Sequence, residues 1–181
     1  MTKDEIVERI KSVLIDEERI AKRVAELGKQ IEQDYAGKCP VVVAILKGSI
    51  IFYGDLVRKI NLPMRFDTMA VSSYGSGTVS SGNVKIKKDL SKDISGDDVL
   101  LIEDIIDSGN TMKALTALLE HRGAKSIKVC SFLDKPSRRT TDFEADYVGY
   151  SIPDEFVIGY GLDYDEKYRN LPYVGVLEIT D

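Results

Sequence analysis

Residues 99–112 read VLLIEDIIDSGNTM, which places Glu103, Asp104 and Asp107 within five positions, directly behind a run of aliphatics. Carboxylates beside a buried segment are costly unless something positive neutralises them. The string that follows, Ser108-Gly109-Asn110-Thr111, is small and polar. A turn of this kind entering a helix presents successive backbone N–H groups and hydroxyls, and it can cradle a phosphate. Phosphate and three carboxylates repel each other. A hard divalent cation resolves the conflict, because Mg²⁺ bridges carboxylate and substrate oxygens while keeping several waters. The stretch therefore points to a Mg²⁺–phosphosugar ligand. One such acid alone would read as a solvated helix cap; three of them against a glycine turn favour the ligand.

Neighbouring motif classes do not fit. Aliphatics ending in Glu-Asp occur in P-loop ATPases, but the G-x-x-x-x-G-K-[ST] string those need is missing from the sequence. Gly75 and Gly77 lack the third glycine of a dinucleotide fingerprint. A receiver domain would carry its acidic pair after the first strand.

The elements that must hold this site follow from hydrophobic spacing. Residues 3–36 repeat apolar positions every three to four (Ile6, Ile10, Val13, Leu14, then Ile20, Val24, Leu27, Ile31), which predicts two helices, the second capped by Asp16. Residues 40–46, PVVVAIL, form a continuous apolar run and predict a strand covered on both faces. Helical spacing returns over 48–60, and residues 64–74 alternate like a half-exposed strand. A small polar segment at 75–82 leads to a possible return strand at 83–88. Residues 98–102 predict a buried strand, 111–121 a helix stopped by Gly123, and 126–133 a third buried strand. Shorter strands are expected at 147–152, 156–160 and 174–179. Apolar strands alternating with helices make an α/β fold with a mostly parallel central sheet flanked by helices. In such sheets ligands sit where strand C-termini meet helix N-termini, which is where 103–111 falls. With no internal repeat and no long linker, residues 1–181 are expected to form a single domain.

The whole chain is compatible with that reading. It has 181 residues, 43% hydrophobic and 30% charged, with a net charge of −5, so a broad nucleic-acid surface is not expected. A small anion held by a few local Lys and Arg is compatible with that charge. Cys39 and Cys130 have neither disulfide-framework nor metal-finger spacing and read as reduced packing residues. No apolar run approaches the ~18 residues of a membrane span. The N-terminal MTKDEIVERIK is charged and amphipathic, unlike a signal peptide, so the expected location is cytoplasmic, with no membrane partner.

LLIEDIIDSGNT resembles the 5-phosphoribosyl-1-diphosphate (PRPP) motif of type I phosphoribosyltransferases, in which two adjacent acids and a third precede a Ser/Thr-Gly-x-Thr loop. Leu46-Lys47-Gly48, Ser73-Tyr74, Lys135-Pro-Ser-Arg-Arg139 and Phe156-Val-Ile-Gly-Tyr-Gly-Leu-Asp163 through Arg169 are similar to the hypoxanthine-guanine members, in a short bacterial form. The resemblance runs in order from residue 40 to the C-terminus. It implies the type I fold with a small hood and a flexible lid loop opened by Ser73 and Tyr74. It also implies Asp107 as the catalytic proton-transfer residue at purine N7, and Glu103 and Asp104 at the ribose hydroxyls and their Mg²⁺. Asp163 would ligate a second Mg²⁺ beside the purine. Ser108, Gly109, Asn110 and Thr111 correspond to the 5′-phosphate loop, where some relatives carry Lys in place of Asn110. Lys47, Gly48 and Arg169 correspond to the diphosphate contacts, with a non-proline cis peptide before the lysine. Lys135, Phe156 and Val157 correspond to purine-binding positions: a donor to O6, a stacking face, and a backbone group reading the base edge.

The implied activity transfers the phosphoribosyl group from PRPP to N9 of hypoxanthine or guanine, giving IMP or GMP plus diphosphate in purine salvage. The implied partners are these small molecules and further copies of the chain, in a homodimer or homotetramer. Lysine is a donor without acceptor capacity, so Lys135 suits a 6-oxo group and not the 6-amino group of adenine. Two alternatives stay open on sequence: a related transferase for xanthine or a pyrimidine, and a PRPP-sensing regulator that binds RNA or DNA.

Overall fold

The computed structural model describes residues 10–73 and 84–178. Its larger sheet has six strands among these residues, in the order β4-β3-β2-β5-β6-β7. They are β2 (Val41–Leu46), β3 (Arg65–Ser73), β4 (Val84–Lys88), β5 (Asp98–Ile106), β6 (Ser126–Asp134) and β7 (Tyr147–Ser151). All neighbours run parallel except the edge pair β3–β4.

The continuous apolar strands are explained by cover on both faces. Along β5, Leu100 and Ile102 pack with helix α1 (Glu17–Asp34) and helix α2 (Ile50–Val57) through Val24, Leu27, Phe52 and Leu56. Val99 and Leu101 point the other way, into a second core with Met112, Leu115 and Leu119 of helix α3 (Asn110–His121). Alternation along the strand therefore serves two cores rather than one core and water. Helix α1 starts at Asp16, whose carboxylate accepts the Arg19 N–H at 2.8 Å. Its Arg23 reaches across to the β7 edge, where the guanidinium donates to the carbonyls of Val148 (2.8 Å) and Gly149 (2.9 Å).

A second, three-stranded antiparallel sheet, β1-β9-β8, supplies the expected hood. It is built from β1 (Ile10–Ile15), β8 (Val157–Ile158) and β9 (Val174–Leu177). Here the sequence-based expectation needs correcting, because residues 10–15 are a strand and not helix. They pair with β9 from Ile10 opposite Leu177 to Ile15 opposite Val174, with two register irregularities. Such irregularities break the period-two pattern and left a spacing that mimicked a helix. The hydrogen-bond partners that decide the matter lie at the far end of the chain. Residues 1–9 of the expected first helix lie outside the described residues.

Strand β5 also runs four residues beyond the expected end at Ile102, because β6 matches it from Glu103 opposite Ser131 to Ile106 opposite Asp134. Glu103 and Asp104 thus stand inside the strand, not at its mouth. Cys130 is fully buried and its thiol is pushed up by burial, as befits a packing residue. Cys39 is exposed and so is not the core packing residue expected of it. No helix among the described residues is long and apolar enough to cross a membrane.

Candidate active site

A cleft of about 560 Å³ opens at the C-terminal ends of β2 and β5. It is lined by Lys47 and Gly48 after β2, by Glu103 to Met112 across the β5–α3 junction, and by Asp163 and Arg169. This junction of strand ends and a helix start is the place where doubly wound sheets bind ligands.

Its floor is the turn from Asp107 to Thr111. Gly109 takes φ +82°, and a Cβ there would lie 2.5 Å from Thr141 Oγ1, so both conformation and space demand glycine. Helix α3 begins at Asn110 without a side-chain cap from Gly109; the Asn110 N–H donates to Ser108 Oγ at 3.3 Å, and the start of the helix lines the cleft. The loop is held from behind. Thr140 N–H and Thr141 Oγ1 donate to the Ser108 carbonyl, and the Asn110 amide donates to Ser108 Oγ and Thr140 Oγ1, each at 3.1–3.2 Å. Asn110 is thus used for shaping the loop.

The acids differ sharply in environment. Glu103 is buried, and burial, reinforced by the adjacent Asp104 carboxylate, pushes its carboxyl well above the ordinary range. Asp104 is half-buried, with Oδ1 accepting the Ile105 N–H at 2.9 Å. Its Oδ2 lies where a Gly48 Cβ would be, only 1.5 Å from that position. Asp107 is exposed, and its Oδ1 is 3.8 Å from Lys135 Nζ. Lys135 is buried between Asp107 and Asp154, the latter at 4.0 Å.

On the opposite wall the Leu46–Lys47 peptide is cis. Gly161, at φ +103°, sits so close that a Cβ would come within 2.0 Å of the Gly48 carbonyl oxygen. Arg169 is anchored by donating to the Gly161 carbonyl at 2.8 Å and pairs with Asp163 Oδ1 at 2.8 Å. The second Asp163 oxygen accepts the Glu166 N–H at 2.9 Å. Lys47 Nζ meets Glu166 Oε2 at 2.6 Å, and that ammonium holds the Glu166 carboxyl below its ordinary value.

The cleft thus gathers Glu103, Asp104, Asp107, Ser108 to Thr111, Lys47, Gly48, Asp163 and Arg169. Lys135 adjoins it through Asp107. Phe156 and Val157 stand on the hood side and do not line it. Phe156 is 40% exposed, edge-on to Tyr164 at 5.7 Å, while Val157 is buried and pairs with Val176. Ser73 ends β3, and Tyr74 lies outside the described residues, as does the rest of the expected lid through residue 82. Among the described residues no three of His, Cys, Asp and Glu gather tightly enough to enclose an ion by themselves.

Sequence reasoning gave no role to two residues that organise this site. Arg139 donates Nη1 to the Asp107 carbonyl at 2.6 Å and Nη2 to the buried Asp134 carboxylate, tying the acid loop to the end of β6. Glu166 joins Lys47 to Arg169, whose Nη2 is 3.6 Å from Glu166 Oε1. Arg139 lay inside the KPSRR string, and Glu166 lies three residues from both Asp163 and Arg169. Their distant partners, Asp107 for Arg139 and Lys47 for Glu166, are 32 and 119 residues away, beyond the reach of local pattern.

Comparison with known proteins shows the family of the chain that carries this cleft. The phosphoribosyl transferase domain family matches residues 12–165, and the chain belongs to that family. It is 53% identical over 169 residues to the hypoxanthine-guanine phosphoribosyltransferase of Streptococcus thermophilus, covering 93% of this chain and 94% of that one. It is also 52% identical to the bifunctional protein TilS/HprT of Listeria monocytogenes, of whose length it spans only 26%. A crystal structure of a hypoxanthine phosphoribosyltransferase from Staphylococcus aureus superposes with a TM-score of 0.93 at 50% identity, covering 98% of this chain and 97% of that one.

Proposed function

We propose that this chain is a Mg²⁺-dependent purine salvage transferase that joins PRPP to N9 of hypoxanthine or guanine, yielding IMP or GMP and diphosphate. The observation that carries the reading is the position of Asp107. It stands just ahead of the glycine turn that opens α3 and beside the buried Lys135, so it can face phosphate loop and base together. The relatives' names support the choice of base.

In this reading the first N–H groups of α3 and the hydroxyls of Ser108 and Thr111 hold the 5′-phosphate. Lys135 donates to the purine O6, Phe156 stacks on the ring, and the Val157 main chain reads its edge. Asp107 moves the proton at N7 as the bond to N9 forms, a task typically worth ~10²–10⁴-fold. Lys47, Gly48 and Arg169 receive the departing diphosphate. A lid opened by Ser73 and Tyr74 would keep water from the ribosyl cation.

The donor set suits Mg²⁺. The raised Glu103 carboxyl beside Asp104 marks a pair short of counter-charge, and Mg²⁺ is ordinarily held by one or two carboxylates plus substrate oxygens. Glu103 and Asp104 would hold one ion at the ribose, and Asp163 a second near the purine and diphosphate. Bound there, the metal neutralises charge developing on the leaving group. We further propose a single domain over residues 1–181, a cytoplasmic location, a homodimer or homotetramer, and neither nucleic-acid nor membrane partners.

The test is an assay of PRPP and Mg²⁺ with hypoxanthine, guanine, xanthine, adenine and a pyrimidine panel. IMP and GMP should form and AMP should not. If no 6-oxopurine yields nucleotide, the reading is wrong.

A further inference from the structure

The two cations assigned to diphosphate both face one carboxylate of the chain itself, Glu166, which pairs directly with Lys47 and lies behind Asp163 as the second acid on Arg169. Glu166 Oε2 lies 2.6 Å from Lys47 Nζ, and Oε1 lies 3.6 Å from Arg169 Nη2. The turn that carries Glu166 is well defined: Tyr164 and Lys167 exchange backbone hydrogen bonds at 3.1 Å, and Asp163 accepts the Glu166 N–H. Glu166 and Lys47 are nonetheless about two-thirds exposed, at 65% and 68% of their side chains. A pair so exposed adds little to folding stability. What it does is place a negative group between the cations that the proposed reaction needs for its leaving group.

We propose that Glu166 is an internal counter-anion, which occupies Lys47 and Arg169 when diphosphate is absent, yields to it on binding, and returns as it departs. This deepens the functional reading above and rests on its assignment of Lys47 and Arg169. The chemistry follows from charge. Diphosphate entering on Lys47 must part it from Glu166 and approach Arg169 past the same carboxylate, which stays tethered nearby by its own turn. Both effects weaken diphosphate binding, on PRPP and on free product alike. The benefit is faster departure of a highly charged product that would otherwise cling to two cations, a step that limits turnover in many transferring enzymes.

Removing the charge while keeping the shape should therefore tighten binding, an effect that loss of a merely structural residue does not produce. The experiment is calorimetric titration of the full chain with inorganic diphosphate and Mg²⁺ at low ionic strength, for the unaltered protein, Glu166→Gln and Asp165→Asn. Asp165 is the adjacent exposed acid, pairing with Lys167 at 3.1 Å, and its variant reports the general effect of losing one negative charge. Glu166→Gln should bind diphosphate about two- to fivefold more tightly, the range expected of an exposed ion pair. Its KM for PRPP should fall in parallel while kcat does not rise. The advantage should shrink as salt approaches ~0.5 M, because exposed charges are screened. Unchanged or weaker binding by Glu166→Gln, an equal gain in Asp165→Asn, or a gain indifferent to salt would each overturn the proposal. The functional reading fails separately. Turnover without a gain in Glu166→Gln removes the counter-anion alone, whereas an unaltered protein that makes no nucleotide and binds no diphosphate removes both.

Discussion

Gly48→Ala is the sharpest probe of how the cleft is packed. A Cβ at residue 48 would stand 1.5 Å from Asp104 Oδ2 and 2.5 Å from its Cγ. Ordinary contact begins at 3.4 Å, so the oxygen would have to withdraw by about 1.9 Å. Asp104 cannot do this without leaving its place beside Glu103, since its Oδ1 is held by the Ile105 N–H. Overfilling a packed site costs about 1–3 kcal/mol, which for a domain of this size lowers Tm by roughly 2–12 °C. The larger effect is on chemistry. A misplacement of about 1 Å in a positioned group can cost ~10²-fold, so kcat/KM for PRPP should fall by at least that factor. The comparison variant is Gly54→Ala in α2, where an added Cβ meets nothing within 4 Å. There the helix should gain about 0.5–1 kcal/mol. Thermal melts and initial-rate kinetics on both proteins decide the issue. If Gly48→Ala keeps kcat/KM within about threefold of the parent, Asp104 is not positioned as argued.

Other expectations follow from the same geometry. Asp107→Asn should lower kcat by ~10²–10⁴ while leaving PRPP affinity within about twofold, measured by single-turnover kinetics and equilibrium binding; a proportional loss of both would contradict proton transfer. Arg139→Met removes the guanidinium that neutralises buried Asp134, and stability should drop by about 3–5 kcal/mol in denaturant titration. Tyr147→Phe removes a 2.6 Å hydrogen bond to Asp34, whose carboxyl is held below its ordinary 3.8 first by Tyr147 and then by Lys128. The Asp34 side chain is 40% exposed, so the loss should be about 1 kcal/mol at pH 7 rather than the full value of a charged hydrogen bond. A depressed carboxyl contributes fully above its ordinary value and loses that contribution as pH falls through the lower folded-state value. The Tm gap between the two proteins should therefore be constant from pH 7 to about 5 and close below 3.8.

What the sequence revealed follows the range of the interactions. Strands β2, β5 and β6 were legible because burial on both faces leaves unbroken aliphatic runs, and the start of α1 because Asp16 caps within three residues. The acidic loop stood out because carboxylates behind a buried run conflict with burial, and it does line the cleft. Strand β1 was not, since its identity rests on pairing with residues 174–177 and its irregular register hides the alternation. The extension of β5 past Ile102 depends likewise on β6 matching it across the sheet. The same limit applies within the cleft. Motif strings point to Lys47 and Arg169 one by one, while the link that Glu166 makes between them exists only after folding.

The contact between Gly161 and the Gly48 carbonyl has a consequence for how this chain can vary. A side chain at residue 161 would need space that main chain more than a hundred residues away already fills. Gly161 cannot enlarge without moving that peptide, while Gly48 is limited separately, by the Asp104 side chain. The loop that descends from the hood is therefore registered against the turn after β2 by bare peptide, with no side chain between them to absorb an error.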